Sequence, residues 1–264
     1  MVINDSYLEM QRMLTNIFFY CYMIFLGCAI PVSIGVKHGM KNEKLEWADS
    51  VMFIVSREMQ LLCFDNNCAP VDESIGVGTS FIIDIQQDKT TLMTAAHLCE
   101  PRTTIDEAPL EIMGLFETKF EMAVIHREDM IEVSDIIYFD RETDICIFTV
   151  PEMIGRELKI SKTDPRYGDG VWSIGAPTGY FPQSAKPITR GLFSGRALRT
   201  DKDGNYIEFF NFNMPTIGGM SGSPIINKKG EVVGMVSAVN QDWHLISYSP
   251  TLYQILKASI IVEE

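Results

Sequence analysis

The chain has 264 residues, of which 46% are hydrophobic and 22% charged, and a formal net charge of −13. That composition reads as globular, with material for one large domain or two small ones. The acidic balance argues against nucleic acid as a partner and, weakly, favours cationic ligands.

Residues 13–36 carry no charged side chain. Within them, residues 17–36 supply about 20 mostly apolar positions, enough at ~1.5 Å rise to cross a ~30 Å hydrocarbon core. They are predicted to form an N-terminal hydrophobic helix that anchors the chain in a membrane; Pro31 near its end is tolerable there. A cleaved export signal is the rival, because Gly27-Cys28-Ala29 offers a small-residue site after an apolar run. Only Arg12 is basic before the span, whereas Lys37, Lys41 and Lys44 follow it; charge counting alone would put the rest of the chain on the cytoplasmic side, and the side is left open. Residues 37–46 are charged and aperiodic, and read as a linker to a folded region at 47–264.

From Ser50 the pattern becomes β-like. Strands are predicted at 51–55, 80–84, 90–94, 112–125 (one or two), 136–139, 145–150, 171–174, 188–194, 207–212, 224–226, 232–239 and 245–247. Many short strands between Gly, Pro, Asn and Asp turns imply an all-β sandwich or barrel. Leu252, Ile255 and Leu256 share one face of a short closing helix at 250–259.

Three residues stand out for chemistry. In Gly219-Met220-Ser221-Gly222-Ser223-Pro224 a serine lies between glycines before a β-branched run. That arrangement suits an exposed hydroxyl, with the N–H groups of Gly219 and Ser221 aimed at one spot where negative charge could develop. Alone, it is equally a hairpin turn. A serine needs a histidine to take its proton and a carboxylate to orient that histidine. Of four histidines, His97 follows an apolar strand and two alanines, Ala95 and Ala96, that leave room for an imidazole. His126, beside Arg127, Glu128 and Asp129, reads as a surface residue and is next in line. Asp144 opens the apolar run 145–150, where an inward-drawn carboxylate needs a partner.

These segments resemble a known family, the trypsin-like serine peptidases, in its HtrA/Deg branch and without the PDZ module of many members. The resemblance runs from about residue 47 to 259. It rests on Gly76-Val77-Gly78-Thr79-Ser80-Phe81, Thr94-Ala95-Ala96-His97, Asp144-Ile145-Cys146-Ile147, Val171-Trp172-Ser173-Ile174-Gly175-Ala176-Pro177, Ile188-Thr189-Arg190-Gly191-Leu192, the Ser221 segment and Gly234-Met235-Val236-Ser237. The order His, Asp, Ser is that of the chymotrypsin type. The resemblance implies two six-stranded antiparallel β-barrels with a short C-terminal helix. His97 and Asp144 would come from the first barrel and Ser221 from the second, with Gly219 and Ser221 as oxyanion donors. It further implies that Ser237 braces Asp144, and that the main chain of Ser237, Ala238 and Val239 pairs with an extended polypeptide substrate. Thr216 and Val236 would lie near the pocket for the side chain preceding the scissile bond. Pro215 stands where enzymes preferring Arg or Lys are acidic, and Val236 where glutamyl endopeptidases carry histidine, so small or medium apolar side chains are expected.

Met220 departs from the pattern, since digestive members have an aspartate there that pairs with a new amino terminus. That ion pair is absent, and a bulky thioether is expected to alter the oxyanion loop. No Cys-x-x-Cys or His-x-x-x-His spacing occurs, so no metal or other cofactor is expected. Cys63 and Cys68 are placed to close a small loop, and Cys146 should be buried. Cys99 lies two residues past His97, so the histidine-adjacent bridge of secreted relatives is not implied. An α/β-hydrolase reading through Ser221, Asp242 and His244 fails: Ser223 stands where that elbow needs glycine, and ~20 residues cannot hold the intervening βα units. A catalytically silent peptide-binding or holdase relative remains the alternative, and homo-oligomerisation is left open.

Overall fold

Runs of β-branched and aromatic residues, interrupted by Gly, Asn and Asp turns, fold almost entirely as antiparallel strands. The computed structural model describes residues 46–64, 67–86, 88–101, 116–126, 129–179, 187–201, 203–239 and 246–260. The predicted membrane segment 17–36 and nearly all of the linker lie outside them. Among the described residues no helix is long and apolar enough to cross a membrane. Leu45–Glu264 forms a compact unit of its own.

The first sheet contains β1 (Val51–Phe64), β2 (Asn67–Ile85), β3 (Thr90–Thr94), β4 (Phe116–His126), β5 (Asp129–Glu132), β6 (Asp135–Asp140) and β7 (Ile145–Val150), ordered β5-β4-β1-β2-β3-β7-β6. The second contains β8 (Gly170–Ile174), β9 (Ile188–Thr200), β10 (Tyr206–Asn213), β11 (Pro224–Ile226), β12 (Val232–Met235), β13 (Ala238–Val239) and β14 (Ile246–Pro250), ordered β12-β11-β8-β9-β10-β14-β13. In each sheet the two outermost strands are neighbours in sequence. Between β5 and β6 the Val133 N–H donates to Met122 C=O of β4, and the Ser134 N–H to Thr149 C=O of β7, both at 2.9 Å. Between β12 and β13 the Val236 N–H donates to Ser223 C=O, and the Ser237 N–H to Tyr248 C=O of β14, again at 2.9 Å. One bent segment thus changes partners halfway and closes each sheet on itself. Counted so, each seven-stranded sheet has six strand positions.

The long hairpin is where sequence and structure part most. β1 and β2 stay in register from Val51↔Phe81 to Phe64↔Asn67, with one bulge at Gln60/Leu61, and the Cys63–Cys68 disulfide crosses the tip. The distal half of β2 is largely exposed, so its side chains lack the apolar alternation that marks a half-buried strand. β5 was likewise not expected, because Asp129 and Glu132 sit outside the barrel beside a single buried side chain, Ile131.

Helix α1 (Leu252–Ile260) closes the described chain. It begins in a reciprocal cap: the Thr251 N–H donates to Gln254 Oε1 at 2.6 Å and the Gln254 N–H to Thr251 Oγ1 at 3.4 Å, which satisfies two otherwise orphaned donors.

Three apolar cores result. One fills the first barrel around Ile54, Ile82, Leu92 and Phe148. Another fills the second around Phe193, Phe210, Phe212 and Met220, with the three phenylalanine rings edge to face. The third lies between the barrels, joining Phe81, Met93 and Ile147 to Ile174, Ile226, Met235 and Ile255 of α1. The connecting chain is tied to both sides: the Leu158 N–H donates to Ile82 C=O at 2.9 Å, and the Ser161 N–H to Val232 C=O at 2.8 Å.

Candidate active site

β3 delivers the chain to the seam between the barrels, where buried Ala95 and Ala96 lead into a short 3-10 turn carrying His97. β7 runs beside β3, pairing Thr94 with Cys146, so the residue two before Cys146, Asp144, arrives next to the histidine. Its turn is built by Asp140, whose carboxylate accepts the N–H groups of Glu142 and Thr143 at 2.9 and 3.4 Å and the Thr143 hydroxyl at 2.8 Å. An ion pair from Arg141 to Glu100 and a 2.7 Å bond from Arg199 to Glu142 C=O hold the turn from outside. Asp144 itself adopts φ +57°, a left-handed conformation that Asp tolerates better than most residues.

The Asp144 carboxylate is surrounded by donors. Both its oxygens lie 3.0 Å from His97 Nδ1, Oδ1 also accepts the His97 N–H at 3.0 Å, and Oδ2 accepts the Ser237 hydroxyl at 2.5 Å. The side chain is 13% exposed and that of His97 42%. An ionised carboxylate only accepts, so in this pairing Nδ1 is the ring nitrogen that donates and Nε2 is the one turned away from Asp144. Ser237 comes from the bend between β12 and β13, so the His97–Asp144 pair of the first barrel is completed by a hydroxyl from the second.

The same bend seats the serine. The Gly222 N–H donates to Val236 C=O at 2.6 Å and the Val236 N–H to Ser223 C=O, while the Thr79 N–H of β2 donates to Ser221 C=O at 2.9 Å. Gly222 has φ +82°, and a Cβ there would lie 1.9 Å from the Thr79 carbonyl oxygen and 2.3 Å from Thr94 Oγ1; only glycine allows so close an approach. The Ser221 side chain makes no hydrogen bond to His97 in this structure. Among the described residues neither the Gly219 nor the Ser221 N–H donates to any acceptor, and Gly219 has φ +90°. Met220 does not intrude: it is buried at 1% exposure in the second-barrel core, and the loop closes around it through Met220 N–H to Ile217 C=O and Ser223 N–H to Met220 C=O.

The remaining sequence candidates divide. Thr216 and Val236 are buried, whereas Ala238 is exposed. The Thr216 hydroxyl is paired with Ser247 Oγ at 2.8 Å, and Ser247 stands opposite Val239 in the β13–β14 ladder. His126 ends β4. Sequence reasoning missed three features: Ser247, the Thr79 contacts, and a disulfide joining Cys99 to Cys146. The buried position expected for Cys146 is observed; its bridge to Cys99, which is not the histidine-adjacent bridge of secreted relatives, is not anticipated by the sequence.

Removal of the Ser237 hydroxyl takes away a bond to a charged acceptor worth about 1.5–3 kcal/mol. The Ser237→Ala variant is expected to lose about 10–100-fold in kcat/KM, measured by steady-state hydrolysis of a peptide ester.

Residues 78–235, more than half the chain, match the family model for the trypsin-like peptidase domain. A protein of Pseudomonas fluorescens named as a probable periplasmic serine endoprotease, DegP-like, is 32% identical over 107 residues, 39% of this chain and 21% of that protein. A like-named protein of Pseudomonas putida is 32% identical over 104 residues, 38% of this chain and 20% of the relative. The chain therefore spans about a fifth of the length of these relatives. In fold it is similar to the Rv3671c protease of M. tuberculosis in its active form, with TM-score 0.59 at 19% identity over 82% of this chain and 83% of that one. The inactive form of the same protease gives TM-score 0.52 at 18% identity over 77% and 86%. With the match spanning the strand before His97 through the strand after Ser221, the chain belongs to the trypsin-like peptidase family.

Proposed function

We propose that this protein is a serine endopeptidase. The observation that carries the reading is the Asp144 carboxylate, bracketed by His97 from one barrel and Ser237 from the other, beside a serine loop with two N–H groups that no described residue takes up. Ser221 Oγ attacks the peptide carbonyl carbon while His97 Nε2 takes its proton; Asp144 holds the imidazole tautomer and stabilises the imidazolium. The oxygen that gains charge is met by the Gly219 and Ser221 N–H groups. His97 then protonates the leaving amine, leaving an acyl-enzyme, and next deprotonates the water that hydrolyses it. The free hydroxyl–imidazole geometry of the unliganded site suits a bond that tightens only with substrate present.

Among the described residues the short strand β13 is the last in its sheet and pairs with β14 alone. Its other edge offers main chain to which an extended peptide adds as a strand. The Thr216 hydroxyl is spent on Ser247 and Val236 is apolar, which supports a pocket for small or medium apolar side chains. Two disulfides support a location in an oxidising compartment, in line with the periplasmic relatives and against the charge-counting orientation.

A fluorophosphonate probe tests the reading: wild type becomes labelled, and Ser221→Ala does not. Folded wild type that resists the probe and cleaves no denatured casein removes it. A peptide library in which Arg, Lys or Glu leads kcat/KM removes the pocket assignment alone.

A further inference from the structure

We propose that Thr79 is a positioning residue whose hydroxyl, reaching from the first barrel, holds the oxyanion loop of the second with its Gly219 donor turned outward. The inference rests on the peptidase reading above and adds what orders the loop when position 220 supplies no charge.

Thr79 lies on β2 and is fully buried. Each of its polar groups is committed. The hydroxyl donates to Gly219 C=O at 3.0 Å and accepts the Ala176 N–H at 3.1 Å, which uses its one proton and one lone pair. The N–H donates to Ser221 C=O at 2.9 Å, and the carbonyl accepts the Thr94 hydroxyl at 2.7 Å. Three of these four bonds cross to the second barrel.

Their placement decides how the loop can turn. The Gly219 N–H belongs to the peptide unit whose carbonyl is that of Gly218. In a trans peptide N–H and C=O point in opposite directions, so fixing one aims the other. The Gly218 carbonyl is held by the Thr178 N–H at 2.6 Å. Thr178 is itself in the left-handed region at φ +52°, which for a β-branched residue persists only where surroundings impose it. Two residues earlier, the Ala176 N–H is bound by Thr79. On the other side of Gly219, its own carbonyl is bound by Thr79 directly. One hydroxyl therefore secures the second peptide unit and anchors the segment that secures the first. Glycine at φ +90° has no side chain to resist a flip of either unit, so these contacts, with the Met220 N–H on Ile217 C=O, hold the direction of the Gly219 donor; the Ser221 N–H is aimed separately, through the Met220 carbonyl that accepts the Ser223 N–H. Met220 is buried among apolar residues and brings no ion pair to the task.

The test compares Thr79→Val, which keeps the shape and loses the hydroxyl, with Thr79→Ser, which keeps the hydroxyl. Thermal unfolding is recorded for each. Thr79→Val is expected to lower kcat about 10²–10³-fold, the effect of losing one oxyanion donor, with KM changed by less than about threefold and fluorophosphonate labelling slowed in proportion. Thr79→Ser is expected to recover kcat to within about tenfold of wild type. If Thr79→Val does not fold, Thr79→Ala takes its place with the same expectations. A folded, hydroxyl-free variant with wild-type kcat overturns the inference, as does Thr79→Ser impaired as deeply as Thr79→Val. An active wild type separates that failure from failure of the peptidase reading; if folded wild type is inert, both fall.

Discussion

Asp144→Asn is expected to lower kcat by about 10⁴-fold while leaving the fold and KM nearly unchanged. The carboxylate accepts from the His97 ring, the His97 N–H and the Ser237 hydroxyl at once. An amide offers one oxygen and one NH₂, so it cannot receive all three. If the NH₂ faces the ring, the imidazole proton moves to Nε2, which no longer has a lone pair with which to take the Ser221 proton. Asn tolerates the left-handed backbone at this position as well as Asp does, so the loss is confined to chemistry. Steady-state kinetics with a parallel melting curve check this; activity within tenfold of wild type removes Asp144 from the mechanism.

Loss of the Cys99–Cys146 bridge is expected to cost about 4 kcal/mol in the chain-entropy picture, from a loop of 47 residues. For a domain of this size that lowers Tm by roughly 10 °C. Each cysteine lies two residues past a member of the His97–Asp144 pair, so the bond clamps together the two turns that present them. The Cys99→Ala/Cys146→Ala protein should therefore lose activity below its melting range as well as stability. The bridge at the hairpin tip closes only a separation of 5 residues, and by the same account contributes about 2 kcal/mol. Calorimetry and kinetics on both double variants check the contrast; equal effects from the two bridges contradict it.

What the sequence discloses and what it hides follow from the range of the interactions. The buried strands 145–150 and 224–226 are found with the predicted bounds, because a mostly apolar run set between Asp144 and Pro151, or between Ser223 and Asn227, is a local signal. Asp144 beside His97 is also legible, since a lone carboxylate at the mouth of such a strand requires a partner. The distal half of β1 and β2 is not, because there the ladder is held by main-chain bonds while the side chains face water. The run 232–239 reads as one strand, but it bends at Val236–Ser237, where consecutive N–H groups go to different neighbours. Nothing in an apolar stretch marks such a change. The Cys99–Cys146 bridge and the destinations of the Thr79 hydroxyl are contacts between distant segments, and spacing carries no information about them. The apolar segment 17–36 lies outside the described residues.

The apolar seam between the barrels gives the molecule the character of an obligate dimer whose subunits share one polypeptide. Separated, each half would present Phe81, Met93 and Ile147, or Ile174, Ile226 and Met235, to water. The connector is bonded to both halves as well, to Ile82 on one side and Val232 on the other. The spacing of the two halves is thus set by side-chain packing across the seam.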